Sequence, residues 1–245
     1  MSAPFLELEP PARIFAIGDI HGCPEELHIL LEHLRSDRGL GTQDLLVFIG
    51  DYIDRGFESR AVVELAIALK QEFPATVFLR GNHESMMLQF LGMDTGADYS
   101  WLQNGGTTTL KSYGVASNAA PEEIIAALPP AHINFLLGLE RYLLVSDLAF
   151  VHAGFDPLRD VRTQLDQDIY WIRDPFINNI HRFERTVVFG HTPFKQVMFN
   201  LPYKIGIDTG LVYGNRLSCI EFPAREVLQV QRKKFKVESY KFPKS

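Results

Sequence analysis

The first third of the chain alternates short apolar runs with amphipathic stretches. Arg13 to Ile17, Leu45 to Ile49 and Thr76 to Leu79 are brief and almost wholly apolar, the pattern of strands covered on both faces. Between them, Pro24 to Arg35 and Ser59 to Glu72 repeat apolar residues every three or four positions, as a helix with one buried face does. Strands and helices alternating in this way predict a parallel sheet with crossover helices. From Ser85 to Leu139 strand patterning stops. Prolines at 121 and 129–130 open PEEIIAAL and PPAHINFLLGL, so this stretch reads as an insertion of short helices, about residues 85–139. Beyond it, RYLLV and LAFVHAG flank a turn at Ser146-Asp147, and TVVFGHT, YKIGID, RLSCIEF and VLQVQ follow, so the second half reads as mostly strand. The expected class is α/β.

Composition narrows the class without specifying a chemistry. A chain of 245 residues that is 46% hydrophobic can bury a full core, and with no repeat, low-complexity tract or Gly/Ser linker it is expected to be a single domain over 1–245. The net charge of -6 and pI near 5.8 argue against a nucleic-acid binder held through phosphate contacts. Cys23 and Cys219 are far apart and outside any CxxC pattern, which suggests neither a disulfide framework nor structural zinc; a reducing cytoplasm is expected. No stretch approaches the roughly 20 apolar residues of a membrane span, and the first residues lack a basic region followed by a long apolar run. A soluble, unprocessed protein without a membrane partner is expected.

The chemistry is at the strand ends. Each of the three opening strands runs into a Gly-Asp or Gly-Asn step: GDIHG at Gly18 to Gly22, GDYIDRG at Gly50 to Gly56, and GNHE at Gly81 to Glu84. Ligands of parallel α/β sheets sit beyond the carboxyl ends of the strands, so the topology can gather these side chains in one place. Two later strands end in His152 of VHAG and His191 of FGHT. Asp19, His21, Asp51, Asn82, His152 and His191 together offer carboxylates, imidazoles and an amide oxygen. That set exceeds what one ion needs and suits two adjacent divalent cations, manganese or iron first and zinc as a third option. Asp51 is assigned as the bridge, with Asp19 and His21 on one ion and Asn82, His152 and His191 on the other. Water between two such ions loses a proton near neutral pH and can attack a phosphate ester. Arg55 is placed to contact the phosphate, with Asn82 beside it, and His83 to protonate the leaving oxygen, its ring held by Asp54.

With these motifs the chain resembles the PPP group of metallophosphoesterases. GDIHG, GDYIDRG, GNHE and the HAG and GHT histidines occur in that group's order from Asp19 to His191. The resemblance implies the calcineurin-like four-layer sandwich, two mixed β-sheets flanked by helices. It implies the same metal roles for Asp19, His21, Asp51, Asn82, His152 and His191, His83 and Asp54 as the acid pair, and Arg55 on phosphate. Arg173, in WIRDPF, is similar to the second phosphate-binding arginine of the bacterial and phage members; the eukaryotic members surround theirs with a longer glycine-rich segment. The implied activity is hydrolysis of phosphoserine and phosphothreonine in a phosphoprotein or phosphopeptide by a metal-bridging hydroxide. The alternatives are a small-metabolite phosphatase and a symmetrical dinucleoside polyphosphate (diadenosine tetraphosphate) hydrolase. In the latter branch the first motif typically has Gln in place of His21 and the second lacks Asp54, and this chain keeps both.

Plainer readings stand beside these. One GDxHG or GNHE alone could be a strand-to-turn junction, and Arg173 could be a surface arginine paired with Asp174. Glu84 is read as a support for the ligands rather than a reacting group. His28, His33, His132 and His181 read as solvated or locally hydrogen-bonded histidines, Cys23 as a small buried thiol, and QRKKFK as a solvated strand or tail. WLQNGGTTTLKSYG lacks phosphate-loop spacing, and threonine capping explains it equally well; its position between motifs suggests a wall of the cleft.

Overall fold

The computed structural model describes residues 5–96 and 100–243. Its first half is β1 (Leu6–Leu8), β2 (Ile14–Ile17), α1 (Pro24–Ser36), β3 (Leu45–Phe48), α2 (Ser59–Glu72) and β4 (Val77–Phe78). Among the described residues four α-helices follow, α3 (Asn82–Phe90), α4 (Gly106–Ser112), α5 (Pro121–Ala127) and α6 (Pro130–Leu137), with a 3-10 turn at Trp101–Asn104 between the first two. The region expected to be helical also includes residues 97–99, which lie outside the described residues. Then come β5 (Tyr142–Val145), β6 (Leu148–Val151), α7 (Asp166–Trp171), α8 (Asp174–Ile177), β7 (Thr186–Phe189), β8 (Met198–Asn200), β9 (Lys204–Gly206), β10 (Arg216–Phe222), β11 (Glu226–Gln231) and β12 (Val237–Lys241).

These strands form two six-stranded sheets, ordered β1-β5-β6-β7-β9-β8 and β12-β11-β10-β2-β3-β4. Both are mixed. In the second, β2, β3 and β4 are parallel as the alternation of strand and helix predicts, while β10 runs antiparallel to β2. The period of two along each strand sorts side chains into layers. Ile14, Ala16, Leu45 and Val47 point inward to meet Leu143, Val145, Leu148, Phe150 and Val188 of the other sheet. Phe15, Ile17, Leu46 and Phe48 point outward under α1 and α2. Tyr142, Leu144, Ala149 and Val151 point to the opposite outer layer, where Ile169 of α7 and Phe176 of α8 cover them. The result is the calcineurin-like sandwich of two sheets flanked by helices.

Two departures from the sequence reading have simple causes. The half expected to be mostly strand contains α7 and α8, of six and four residues, too short to show a helical period. The edge strands β1, β8 and β12 carry no alternation strong enough to mark them; β1, for example, is a three-residue segment whose pairing comes from β5 alongside it.

Beyond the end of α1, Arg38 donates to Glu226 Oε1 at 2.7 Å and to Glu221 Oε2 at 3.3 Å, tying that loop to the β10–β11 hairpin. Hydrogen bonds from Arg38 and Lys241 hold the Glu226 carboxyl down at about 2, against an ordinary 4.5. The folded value is depressed, so this stabilisation is complete above about 4.5 and is lost as pH falls toward about 2. Glu226→Gln should therefore lower the urea midpoint near neutrality, and its deficit against the parent should shrink through that acid window. A deficit that stays constant on acidification would show that the Glu226 charge contributes nothing.

Candidate functional site

Both sheets deliver residues to one point. Asp19 follows β2, Asp51 follows β3 and Asn82 opens α3 just past β4, while His152 and His191 follow β6 and β7 of the other sheet. The backbone bends sharply there: His21, Asp51, Asp54, Arg55 and His191 have φ of 46°, 54°, 71°, 68° and 63°. Left-handed geometry costs a non-glycine residue about 1–3 kcal/mol, a cost tolerated where the surroundings fix it. Gly81 is required by a close approach, because a Cβ there would lie 2.1 Å from Asp51 Oδ1.

Glu84, buried in the first turn of α3, organises the loop around Asp51. Its Oε2 accepts the N–H groups of Asp51 at 3.0 Å and Gly81 at 2.9 Å, and its Oε1 those of Tyr52 at 2.8 Å and Ile53 at 3.3 Å. The supporting role read from the sequence thus acquires specific partners.

Asp51 lies between two groups of imidazoles. Its Oδ2 is 3.3 Å from His21 Nε2 and 4.0 Å from His83 Nε2, and its Oδ1 is 3.4 Å from His152 Nε2. Candidate ligand atoms of Asp51, His21 and His83 lie within 4.8 Å of one another, and so do those of Asp51, His152 and His191. Asn82 Oδ1 is 2.9 Å from His152 Nε2 and 3.0 Å from His191 Nδ1. Asp19 stands beside them, its Oδ2 accepting the backbone N–H of His191 at 3.0 Å. The Nδ1 atoms of His21 and His152 face the carbonyls of Ile53 and Ile49 at 2.8 and 3.0 Å, which places a proton on each Nδ1 and turns the Nε2 atoms toward the centre.

The electrostatics fit a cation pair. Burial raises the Asp19 carboxyl well above its ordinary value, with Asp208 and Asp51 adding to the rise, and burial with the Asp51 charge raises Glu84 against the pull of the Gly81 and Tyr52 N–H groups. Asp51 resists its burial because His152, His83 and His21 hold it well below its ordinary value. Burial drives His152 down to about 4 and His191 to about 2, so both imidazoles are neutral and free to ligate at neutral pH. Asp19 Oδ1 and His191 Nε2 are buried without a hydrogen-bond partner, as atoms awaiting a metal would be. A donor set of carboxylates, imidazoles and an amide oxygen around a shared Asp51 is suited to a dinuclear divalent site.

His83 and Asp54 meet as well. His83 Nδ1 lies 2.7 Å from Asp54 Oδ2, while His83 Nε2 is buried and unpartnered. Asp54 is itself held: Trp101 Nε1 donates to its Oδ2 at 3.0 Å and Thr109 Oγ1 to its Oδ1 at 2.6 Å. Both come from the WLQNGGTTTLKSYG segment, whose role the sequence left between helix capping and cleft wall. The available signal was the tryptophan, whose indole N–H needs an acceptor once buried.

Arg55 Nη1 is 2.7 Å from His21 Nε2, and its guanidinium lies 5.7 Å from the centroid of the Tyr213 ring. Arg173 is exposed and donates to Thr192 Oγ1 at 3.2 Å, beside His191; among the described residues it pairs with no carboxylate, Asp174 included. Sequence reasoning missed Asp208, a buried carboxylate near Asp19 whose Oδ1 accepts the N–H of Gly210 at 2.8 Å. YKIGID ends an apolar run in Asp as the other motifs do, and that was the overlooked signal. Three of the remaining histidines are locally bonded, His132 to the Tyr113 hydroxyl at 2.8 Å, His181 to the Tyr203 carbonyl at 2.8 Å and His33 to Asp37 at 3.1 Å, and His28 is exposed on α1. Burial pushes the Cys23 thiol up to about 12, which makes it unreactive.

The sequence model of the calcineurin-like phosphoesterase family matches residues 12–237. The chain is 28% identical to a protein of Oceanobacillus iheyensis named bis(5'-nucleosyl)-tetraphosphatase PrpE (asymmetrical), over 93% of this chain and 96% of that protein. It is 32% identical to serine/threonine-protein phosphatase 1 of Salmonella typhimurium, over 84% of this chain and 89% of that protein. Among solved structures, a cold-active protein tyrosine phosphatase superposes with a TM-score of 0.67 at 16% identity, covering 97% of this chain and 82% of its own, a likeness of fold.

The Glu84 contacts generate a test. Glu84→Gln replaces one acceptor oxygen with an NH2 group that faces backbone N–H groups, so the Asp51 loop should loosen. Manganese affinity by calorimetry should fall roughly 10- to 100-fold, the range for groups that orient ligands. Parent-like affinity would mean that the loop holds its shape without the carboxylate.

Proposed function

Because the chain belongs to the calcineurin-like phosphoesterase family, we propose that this hydrolase is a phosphomonoesterase acting on phosphoserine and phosphothreonine in proteins, of the bacterial and phage type. The observation that carries the reading is the buried His83–Asp54 pair at 2.7 Å, fixed by Trp101 and Thr109. A serine or threonine alkoxide is strongly basic and leaves only with a proton, and this pair is built to deliver one.

Asp19, His21, Asp51, Asn82, His152 and His191 would hold two divalent cations, manganese first and iron or zinc as alternatives, with Asp51 shared. When bound, such a pair supplies a water that ionises near neutral pH and positive charge for the phosphate oxygens. The chain's own groups do the rest. Arg55 and Arg173 draw the non-bridging oxygens into line from two sides, and the Asn82 amide lies beside them. His83 keeps one proton on Nδ1 for Asp54 and presents Nε2 to the leaving oxygen. The Asp54 carboxylate stabilises the imidazolium before transfer and fixes the ring's direction afterwards, and Trp101 and Thr109 keep Asp54 from turning away. On this reading the enzyme is a single domain over 1–245 that works in the cytoplasm.

A second reading, hydrolysis of a dinucleoside tetraphosphate, draws on the Oceanobacillus relative's name and on Tyr213. That ring is 64% exposed and flanked by Arg55 on the phosphate side, which leaves a face for a nucleobase. The leaving group would then be a phosphate, which departs without a proton. Assay of the manganese-loaded enzyme on phosphoserine, phosphothreonine and phosphotyrosine peptides and diadenosine tetraphosphate compares the readings directly, and a rate confined to the tetraphosphate would reject the first.

His83→Asn should lose about 10² to 10⁴ in rate on phosphoserine peptides and far less on para-nitrophenyl phosphate, whose leaving group is already weakly basic. Metal content should stay at two ions per chain. Equal losses on both substrates would show that His83 serves the phosphate or the metals instead.

A further inference from the structure

Lys204 in β9 is 0% exposed, and among the described residues it has no carboxylate partner. Burial lowers its ammonium below the ordinary lysine value. Such a group is costly inside a protein unless all its N–H bonds are used. Here they converge on one short segment, the carbonyls of Phe176, Ile177 and Asn179. Lys204 therefore caps the carboxyl end of α8, where a cation also meets the negative end of the helix.

A four-residue helix cannot hold itself together by its own hydrogen bonds. Two further contacts show what the cap secures. The Phe176 ring lies 4.5 Å from the Lys204 ammonium and occupies the space over Gly154, where a Cβ would be 2.4 Å from Phe176 Cδ1. At the other end of α8, the N–H groups of Phe176 and Ile177 both donate to the carbonyl of Arg173 at 2.9 Å. The backbone of Arg173 is thus fixed by the same turn that Lys204 caps, and its guanidinium reaches Thr192 beside His191.

We propose that Lys204 is a positioning residue for phosphate recognition: by clamping α8 from inside the sheet it sets where Arg173 stands at the edge of the metal centre. The inference rests on the reading of Arg173 as a phosphate contact. Its physical content is that an exposed arginine next to a one-turn helix would otherwise sample many positions, and a contact held in one place binds more tightly than a mobile one.

The test uses the full-length, manganese-loaded enzyme with Lys204→Met, which keeps the stem and removes the ammonium, and Lys204→Gln, which keeps a donor and serves if the first variant does not fold. Both are compared with Arg173→Ala and with the doubles. Inhibition by inorganic phosphate and KM for para-nitrophenyl phosphate should weaken roughly tenfold in the Lys204 variants, the order of a lost charge-assisted contact. Metal content should be unchanged, and the doubles should be no worse than Arg173→Ala. A lysine that merely stabilises the fold would lower the melting temperature and leave phosphate inhibition intact. Loss in Arg173→Ala with none in either Lys204 variant, or additive losses in the doubles, would overturn the inference alone. Parent-like phosphate binding in Arg173→Ala would overturn the reading of Arg173 and this inference with it.

Discussion

The accumulation of negative charge around Asp51 is the constraint on which the rest of the structure depends. Asp19, Asp51, Asp54, Glu84 and Asp208 are all buried, and several raise one another's affinity for protons. In an apolar interior such a group is unstable unless cations or N–H donors answer it. Glu84 is answered by four backbone amides, and Asp54 by an indole, a threonine hydroxyl and an imidazole. Asp51 is answered by the imidazoles around it, whereas Asp19 has one N–H donor, from His191, and an Oδ1 without a hydrogen-bond partner, a demand that divalent cations are suited to meet.

That demand explains why the site lies where two sheets meet. A single parallel sheet could bring Asp19, Asp51 and Asn82 together, but His152, which depresses Asp51, and His191, which with His152 flanks Asn82, come from the other sheet. The apolar layer between the sheets, built from residues such as Ile14, Val47, Leu143 and Val188, sets the distance between their strand ends. Metal binding should then feed back on folding, since ions that bind only the assembled set stabilise the packing that assembles it.

Much of this was legible because it is local in sequence. Runs such as IFAI and LLVFI are short, apolar and followed at once by Gly and Asp, so strand and ligand can be read together. What escaped the sequence depends on distant contacts. Trp101 and Thr109 are unremarkable in a run of short helices and matter only because Asp54 lies across from them. β1 is a strand because β5 lies alongside it, and α8 is a turn of helix because Lys204, far along the chain, caps it. Asp208 was hidden differently: its motif had the right shape, but its neighbours Asp19 and Arg55 are known only once β9 is placed.

The same distinction separates what the site shares with its relatives from what gives it a particular substrate. Charge neutralisation around Asp51 suits any phosphate ester, since every such reaction needs its phosphoryl oxygens and attacking water stabilised. Selectivity has to come from groups that sense the rest of the substrate. Two such groups are visible here, and they favour different molecules. The Asp54–His83 pair is useful in proportion to the basicity of the leaving oxygen, and so to the difficulty of cleaving an alkyl ester. Tyr213 is useful only to a substrate with a flat ring near its phosphate. The pair is buried and held by the side chains of Trp101 and Thr109, whereas Tyr213 is mostly exposed and touches the site through Arg55. A group fixed at such cost in burial and hydrogen bonding is the stronger guide, which is why the substrate proposed is an alkyl phosphoester rather than a nucleotide.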